Sequence, residues 1–186
     1  MTKSHVRTIA EERGFVNARK HDSQDICFVQ NGDYADFIEK RTGKCYRDGD
    51  FVDRNGKVIG HHRGIIHYTV GQRKGLGISY DEPLYVCAID KEKNTVTLGK
   101  ESELYSQILT AKDVNFISVP YIDRPHRLKA KVRYRGEEKW ATVKCTNIYT
   151  IRVEFDEPQR AITKGQAVVL YDGDTVVGGG MIKETE

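Results

Sequence analysis

Six short β-type segments recur between Ile108 and Ile182, separated by turn residues every eight to twelve positions. They are Ile108–Phe116, Arg127–Tyr134, Trp140–Thr146, Tyr149–Phe155, Ala167–Tyr171 and Val176–Ile182. Strands this short at this spacing cannot build a large open sheet, and they predict a small closed barrel. Asp172-Gly173-Asp174 is a hairpin turn, and Gly178–Gly180 inside the last segment permits a bulge or a close backbone approach. The rest of the chain has to be arranged around such a unit.

Upstream the pattern is mixed. Thr2 or Ser4 can cap a short helix running to Arg13, with Val6, Ile9 and Ala10 at helical spacing and Gly14 as its stop. Asp33 caps a second helix, Tyr34–Arg41, with Phe37 and Ile38 inward and Gly43 past its end. Asn55-Gly56 lies between two short apolar runs and predicts a β-hairpin over Phe51–Ile59. Residues His61–Gly77 are rich in glycine and cations and show no period. Leu84–Ile89 and Thr95–Leu98 form a second hairpin around Lys91–Asn94, and Glu101–Gln107 reads as a linker. The fold class is therefore mainly β: a short leading helix, a small central α+β domain, and a six-stranded C-terminal β-barrel.

A chain of 186 residues can bury a real core as one domain or two small ones. There is no apolar run long enough to span a membrane, and Met1–His5 lacks the apolar region of a secretory signal. The default location is cytoplasmic. Cys27, Cys45, Cys87 and Cys145 lie far apart with no C-x-x-C pair, which argues against a zinc ribbon and a disulfide scaffold. His61, His62 and His67 cluster, but no carboxylate or cysteine stands at ligand spacing, so no bound metal is expected.

The net charge of +3 does not by itself imply nucleic acid. Its distribution is more informative: Arg54–Lys74 contains five Lys/Arg and no acid, and Arg124–Lys144 contains eight against Glu137 and Glu138. Such segments either track a phosphate backbone or are solvated strand faces. Strand alternation puts Lys129, Lys131, Arg133 and Arg135 on one face and Ala130, Val132 and Tyr134 on the other. Tyr134 either packs in the barrel or stacks on a base.

Cys27 sits in Asp22-Ser23-Gln24-Asp25-Ile26-Cys27-Phe28. A free cysteine is often core filler, and neighbouring carboxylates raise a thiol pKa rather than lower it, so spacing alone does not make it a nucleophile. The motif itself resembles the second-cysteine motif of the bacterial and organellar tRNA-specific 2-thiouridylases. Gly60-His61-His62-Arg63-Gly64 through Tyr68-Thr69-Val70-Gly71-Gln72-Arg73-Lys74-Gly75-Leu76-Gly77-Ile78 is similar to that family's central signature. Gly165-Gln166 to Gly178-Gly179-Gly180 is similar to its C-terminal barrel, and the three blocks follow the family's order.

The resemblance implies ATP-dependent 2-thiolation of the wobble uridine of tRNA. It implies that Cys27 is catalytic and carries the sulfur as a persulfide, loaded by a sulfur-carrier protein or a cysteine desulfurase. It implies tRNA contacts at Arg133, Tyr134 and Gln166, and a barrel like those of translation elongation factors. The family's ATP-binding loop, Ser-Gly-Gly-x-Asp-Ser, has no counterpart here. The chain is then expected to be a C-terminal half lacking the N-terminal adenylating domain: residues 1–28 as that domain's end, 29–100 a central domain, and 105–186 the tRNA-binding barrel. A non-catalytic RNA-binding β module is the alternative. A thiol-redox protein would need a resolving cysteine nearby, and none is present.

Overall fold

The computed structural model describes residues 1–20, 29 and 34–186. Cys27, Asp22, Asp25 and the helix cap expected at Asp33 lie outside the described residues. The chain forms two compact units, Met1–Cys45 and Tyr46–Glu186.

Among the described residues the first unit contains two helices. Helix α1, Lys3–Glu12, is capped by Thr2, whose hydroxyl accepts from the His5 amide at 3.4 Å, and it buries no side chain. It ends where Gly14, at φ +71°, takes the left-handed conformation that glycine adopts without cost. Helix α2, Tyr34–Thr42, turns Ala35 fully inward, with Phe37 and Ile38 half-buried. Gly43 follows it at φ +65° with its amide on the Glu39 carbonyl.

The second unit begins with a four-stranded sheet of order β2-β1-β4-β3, where β1 is Gly49–Val52, β2 Val58–His62, β3 Tyr85–Asp90 and β4 Thr95–Gly99. The β1–β2 turn forms as its Asn-Gly pair dictates. Asp53 Oδ1 accepts from the amides of Asn55 and Lys57, and Gly56 sits at φ +81°. β3 and β4 form the second expected hairpin. The parallel pairing of β1 with β4 was not predicted. The aperiodic stretch after β2 covers this sheet: Ile65, Tyr68 and Leu76 pack on Phe51, Val86, Val96 and Leu98.

The expected linker is shorter than predicted. Glu101–Leu104 forms a 3₁₀ turn, in which the Glu103 carboxylate accepts from the Lys100 amide at 3.0 Å. The next strand starts at once. Six strands follow: β5 Tyr105–Phe116, β6 His126–Lys131, β7 Lys139–Asn147, β8 Thr150–Arg160, β9 Ala167–Asp172 and β10 Thr175–Thr185. They close antiparallel in the order β10-β5-β8-β7-β6-β9. Alternate residues fill the interior, including Leu109, Leu128, Val143, Ile151, Val153, Phe155, Leu170 and Ile182. Gly178 and Gly179 are required by crowding. A Cβ there would stand 2.5 Å from the Asn115 carbonyl oxygen and 2.4 Å from that of Val168. Among the described residues no helix is long and apolar enough to cross a membrane.

Candidate nucleic-acid interface

β6 ends at Lys131, three residues before the expected end. A tight turn follows in which the Gly136 amide donates to the Arg133 carbonyl at 3.0 Å. The predicted single row of Lys129, Lys131, Arg133 and Arg135 is therefore broken. The turn rotates Arg133 toward the chain between β8 and β9. There Nη2 donates to the Ala161 carbonyl, while Nε is buried without a hydrogen-bond partner. Burial, and then the like charge of Arg160, push the Arg133 guanidinium below its ordinary pKa range. Tyr134, next in the turn, is 95% exposed and takes no part in barrel packing.

Gln166 is placed by its neighbours. Gly165, at φ +82°, donates its amide to the Ile182 carbonyl at 2.9 Å, and the Ile182 amide donates to the Gln166 carbonyl at 2.8 Å. These two bonds pin the Gly-Gln pair to β10 and leave the Gln166 side chain exposed. The Arg133-Tyr134 turn and Gln166 thus come from two separate segments and line one cleft of about 600 Å³ with Lys131 and Tyr171. Thr69 and Val70 of the 68–78 block also line it, a placement that sequence reasoning did not anticipate.

That block is held to β3 of the four-stranded sheet by identifiable bonds. The Gly71 amide donates to the Val86 carbonyl and the Val86 amide to the Gln72 carbonyl, at 2.8 and 2.9 Å. The Gln72 side chain accepts from the Thr69 amide and donates to the Lys74 carbonyl. Val70 packs with Tyr85, Leu104 and Ala161, and the Arg160 guanidinium lies 5.6 Å from the Tyr85 ring centroid. Gly71 must be glycine: its φ is +90°, and a Cβ would come within 3.1 Å of the Ala161 side chain.

The histidines serve different ends. His62 is not in a polar loop but buried, packed edge-on against Phe51 and Tyr68 at centroid distances of 5.5 and 5.6 Å. Its Nδ1 accepts from the Gly64 amide and its Nε2 faces the Asn94 carbonyl at 3.2 Å, an arrangement that suits the neutral Nε2–H tautomer. His61 is exposed and bonds Asp50 at 2.8 Å. Among the described residues no group of three or more His, Cys, Asp or Glu side chains is arranged to hold a metal ion.

Two glycine-rich stretches do not form a phosphate cradle. The Gly71 amide is already bonded, and Gly178–Gly180 lies inside β10 against neighbouring backbone. Neither stretch opens a helix with free amides toward a phosphate.

The three described thiols differ. Cys45 is exposed, whereas Cys87 is half-buried against the Tyr85–Leu104–Ala161 cluster and Cys145 packs against the barrel core. Burial, and secondarily Glu103, raise the Cys87 thiol above its ordinary pKa against an opposing effect of Arg54. A thiol with a raised pKa carries less reactive thiolate at a given pH. Under limiting iodoacetamide near pH 8, Cys45 is expected to alkylate well before Cys87. Peptide mass mapping over time reads the order, and equal rates would contradict the placement of Cys87.

Three family models match in succession. Residues 1–31 match one described as a tRNA methyl transferase HUP domain, 35–100 a tRNA methyl transferase PRC-barrel domain, and 106–182 an aminomethyltransferase beta-barrel domain. The tRNA-specific 2-thiouridylase MnmA of Acetivibrio thermocellus is 56% identical over 182 residues, covering 98% of this chain and 51% of that protein. That of Clostridioides difficile is 49% identical over 183 residues, with 98% and 51% covered. That of Desulfitobacterium hafniense is 45% identical over 190 residues, with 97% and 51% covered. The chain spans about half the length of the curated relatives it matches. With consecutive matches from end to end and identities this high, the chain belongs to the tRNA-specific 2-thiouridylase family.

Proposed function

We propose that this chain supplies the tRNA-holding and sulfur-carrying part of a tRNA 2-thiouridylase, a cytoplasmic sulfurtransferase that thiolates C2 of the wobble uridine. What carries the reading is the convergence of Arg133 and Tyr134 from the turn after β6, and of Gln166 from the segment before β9, on one cleft. The three groups are chemically complementary to RNA. A guanidinium pairs with phosphate, an exposed phenol ring stacks on a base, and an amide both donates and accepts at base edges or the ribose hydroxyl.

In this reading Cys27 carries the transferable sulfur as a persulfide, loaded by a sulfur-carrier protein or a cysteine desulfurase. A cysteine suits the role because sulfur–sulfur bonds form and exchange readily by thiolate attack. The outer sulfur would bond to C2 as the C2–O bond breaks, the oxygen leaving with the AMP that ATP had placed on it. A second thiol, from outside this chain, would then attack the Cys27 sulfur, breaking its S–S bond and leaving the outer sulfur on C2 and Cys27 in a disulfide. ATP dependence is assigned to the half of the relatives' length that this chain does not span, since neither glycine-rich stretch among the described residues offers a phosphate cradle. That same misfit favours the second reading, an RNA-binding module without chemistry of its own.

Titrating the chain with tRNA at fixed salt tests the cleft. Tyr134→Ala is expected to lose about 1–3 kcal/mol of affinity, the range for one base–aromatic stack. Arg133→Ala is expected to lose a comparable amount, about 1–3 kcal/mol, from a charge-assisted interaction. Because Tyr134 is exposed, its substitution leaves melting unchanged and isolates binding from folding. Unaltered affinity in Tyr134→Ala and Gln166→Ala would sink the RNA reading of the cleft.

A further inference from the structure

We propose a second RNA-binding surface outside the cleft: the outer face of β6, β7 and β8 binds the sugar-phosphate backbone of the same RNA. The inference rests on the RNA-binding reading of the cleft and adds a surface to it. Closing the barrel turns alternate residues of these strands outward, and what they present is cationic. β6 contributes Arg127, Lys129 and Lys131, β7 contributes Trp140 and Lys144, and β8 contributes Arg152.

Five cations stand there against three carboxylates, Glu138, Glu154 and Asp156, which leaves an excess of two positive charges. Asp156 fixes both Nη atoms of Arg127 at 2.7 Å, and Glu154 holds Arg152 at 2.6 Å. Glu138 lies 3.9 Å from Lys129, at the limit of an ion pair. Among the described residues no carboxylate reaches Lys131 or Lys144 within ion-pair distance.

Two features are costly for an idle surface. Lys144 is directly opposite Arg152 across β7 and β8, and like charges so placed repel. Trp140 is 51% exposed, with Arg127 and Lys129 each 5.7 Å from its ring centroid. The indole braces the two cations at a defined spacing instead of filling the core. Successive outward residues on one strand stand about 6.6–7 Å apart, a spacing comparable with that of phosphates along a polynucleotide. An anionic backbone lying here would relieve the Lys144–Arg152 repulsion and engage the unpaired ammonium groups.

The surface is also continuous with the cleft. Lys131 lines it, and Lys129 is flanked by Tyr171 of the cleft on one side and Trp140 on the other. An RNA strand leaving Arg133 and Tyr134 therefore meets Lys131, then Lys129, then the Trp140 edge, and reaches Lys144 farther along β7.

Trp140 is the chain's only tryptophan, so its fluorescence reports this face directly. The test titrates the whole chain with tRNA while following Trp140 emission and the salt dependence of binding. Trp140 emission is expected to change with the binding isotherm. Lys129→Ala/Lys144→Ala is expected to make the slope of log affinity against log salt shallower by about two, near one for each phosphate no longer neutralised. A melting curve equal to that of the parent chain confirms that the double variant is folded, and Lys129→Gln/Lys144→Gln serves if it is not. An unchanged slope, or emission that stays constant through saturation, overturns this second surface. If Tyr134→Ala and Gln166→Ala still weaken binding in that case, the cleft reading stands alone. If tRNA does not bind at all, both fall.

Discussion

Cys27→Ser is expected to bring 2-thiouridine formation to background in a protein that joins this chain to the half of its relatives it does not span. The same protein with Cys45→Ser, Cys87→Ser or Cys145→Ser is expected to keep most of its activity. A serine hydroxyl cannot take up sulfane sulfur by thiol–disulfide chemistry, so the substitution removes the carrier rather than weakening it. Losing a covalent nucleophile costs orders of magnitude, at least about 10³-fold. The other three thiols have structural settings: one exposed, one half-buried against the Leu104 cluster, and one on the barrel core. Removing Cys87 or Cys145 is expected to touch packing, and removing the exposed Cys45 to touch neither packing nor sulfur transfer. The readout is nucleoside analysis of digested tRNA, with persulfide labelling of the loaded protein as a second measure. Full thiolation by Cys27→Ser would falsify the assignment of the sulfur carrier.

The barrel was legible because its interior obeys period two. Leu128 and Ala130, Val143, Ile151, Val153 and Phe155, and Val168 and Leu170 all point inward as alternation requires. Strand ends were less legible, because bulges and turns decide them. β6 stops at Lys131 where the Arg133–Gly136 turn begins, although the sequence alternates onward to Arg135. β8 runs on past Phe155 to Arg160, through Pro158, because its register with β5 shifts there and the proline needs no ladder bond. The parallel β1–β4 pair left no local trace, since no turn joins the two strands.

The site divides along the same line. The identities of Arg133, Tyr134 and Gln166 came from motif resemblance, and only the folded chain brings them to one cleft. Alternation placed Arg133 on an outer cationic row. The turn after Lys131 instead carries its guanidinium to the Ala161 carbonyl, a partner 28 residues away. His62 misled for a related reason. A His-His-Arg run reads as polar surface, yet Gly64 and Asn94 satisfy both ring nitrogens, and the imidazole then packs as an aromatic. Satisfying a buried polar group is a tertiary event that no local window contains.

Phe155→Ala is expected to have the largest effect on stability of any single core truncation in the barrel. Phe155 is 1% exposed and faces Ala141 across β7, so its ring fills space that its cross-strand neighbour leaves. Its carbonyl also accepts from the Gln107 amide side chain at 2.9 Å, at the shift in register between β5 and β8. Truncation strips away the ring's apolar packing and leaves a void that a closed barrel cannot collapse around, because each strand is bonded on both sides. The missing burial together with the void costs about 3–5 kcal/mol. Domains of this kind hold only about 5–15 kcal/mol in total, so a large fraction disappears at once. For a unit of this size the melting midpoint should drop by roughly 10–20 °C. Phe155→Leu, which keeps most of the volume, should cost less than half as much, and Tyr134→Ala on the exposed turn should not shift melting. Circular dichroism melts of the three variants separate a packing role from a surface one. A Phe155→Ala midpoint within a few degrees of the parent would mean that the barrel interior is not organised around this ring.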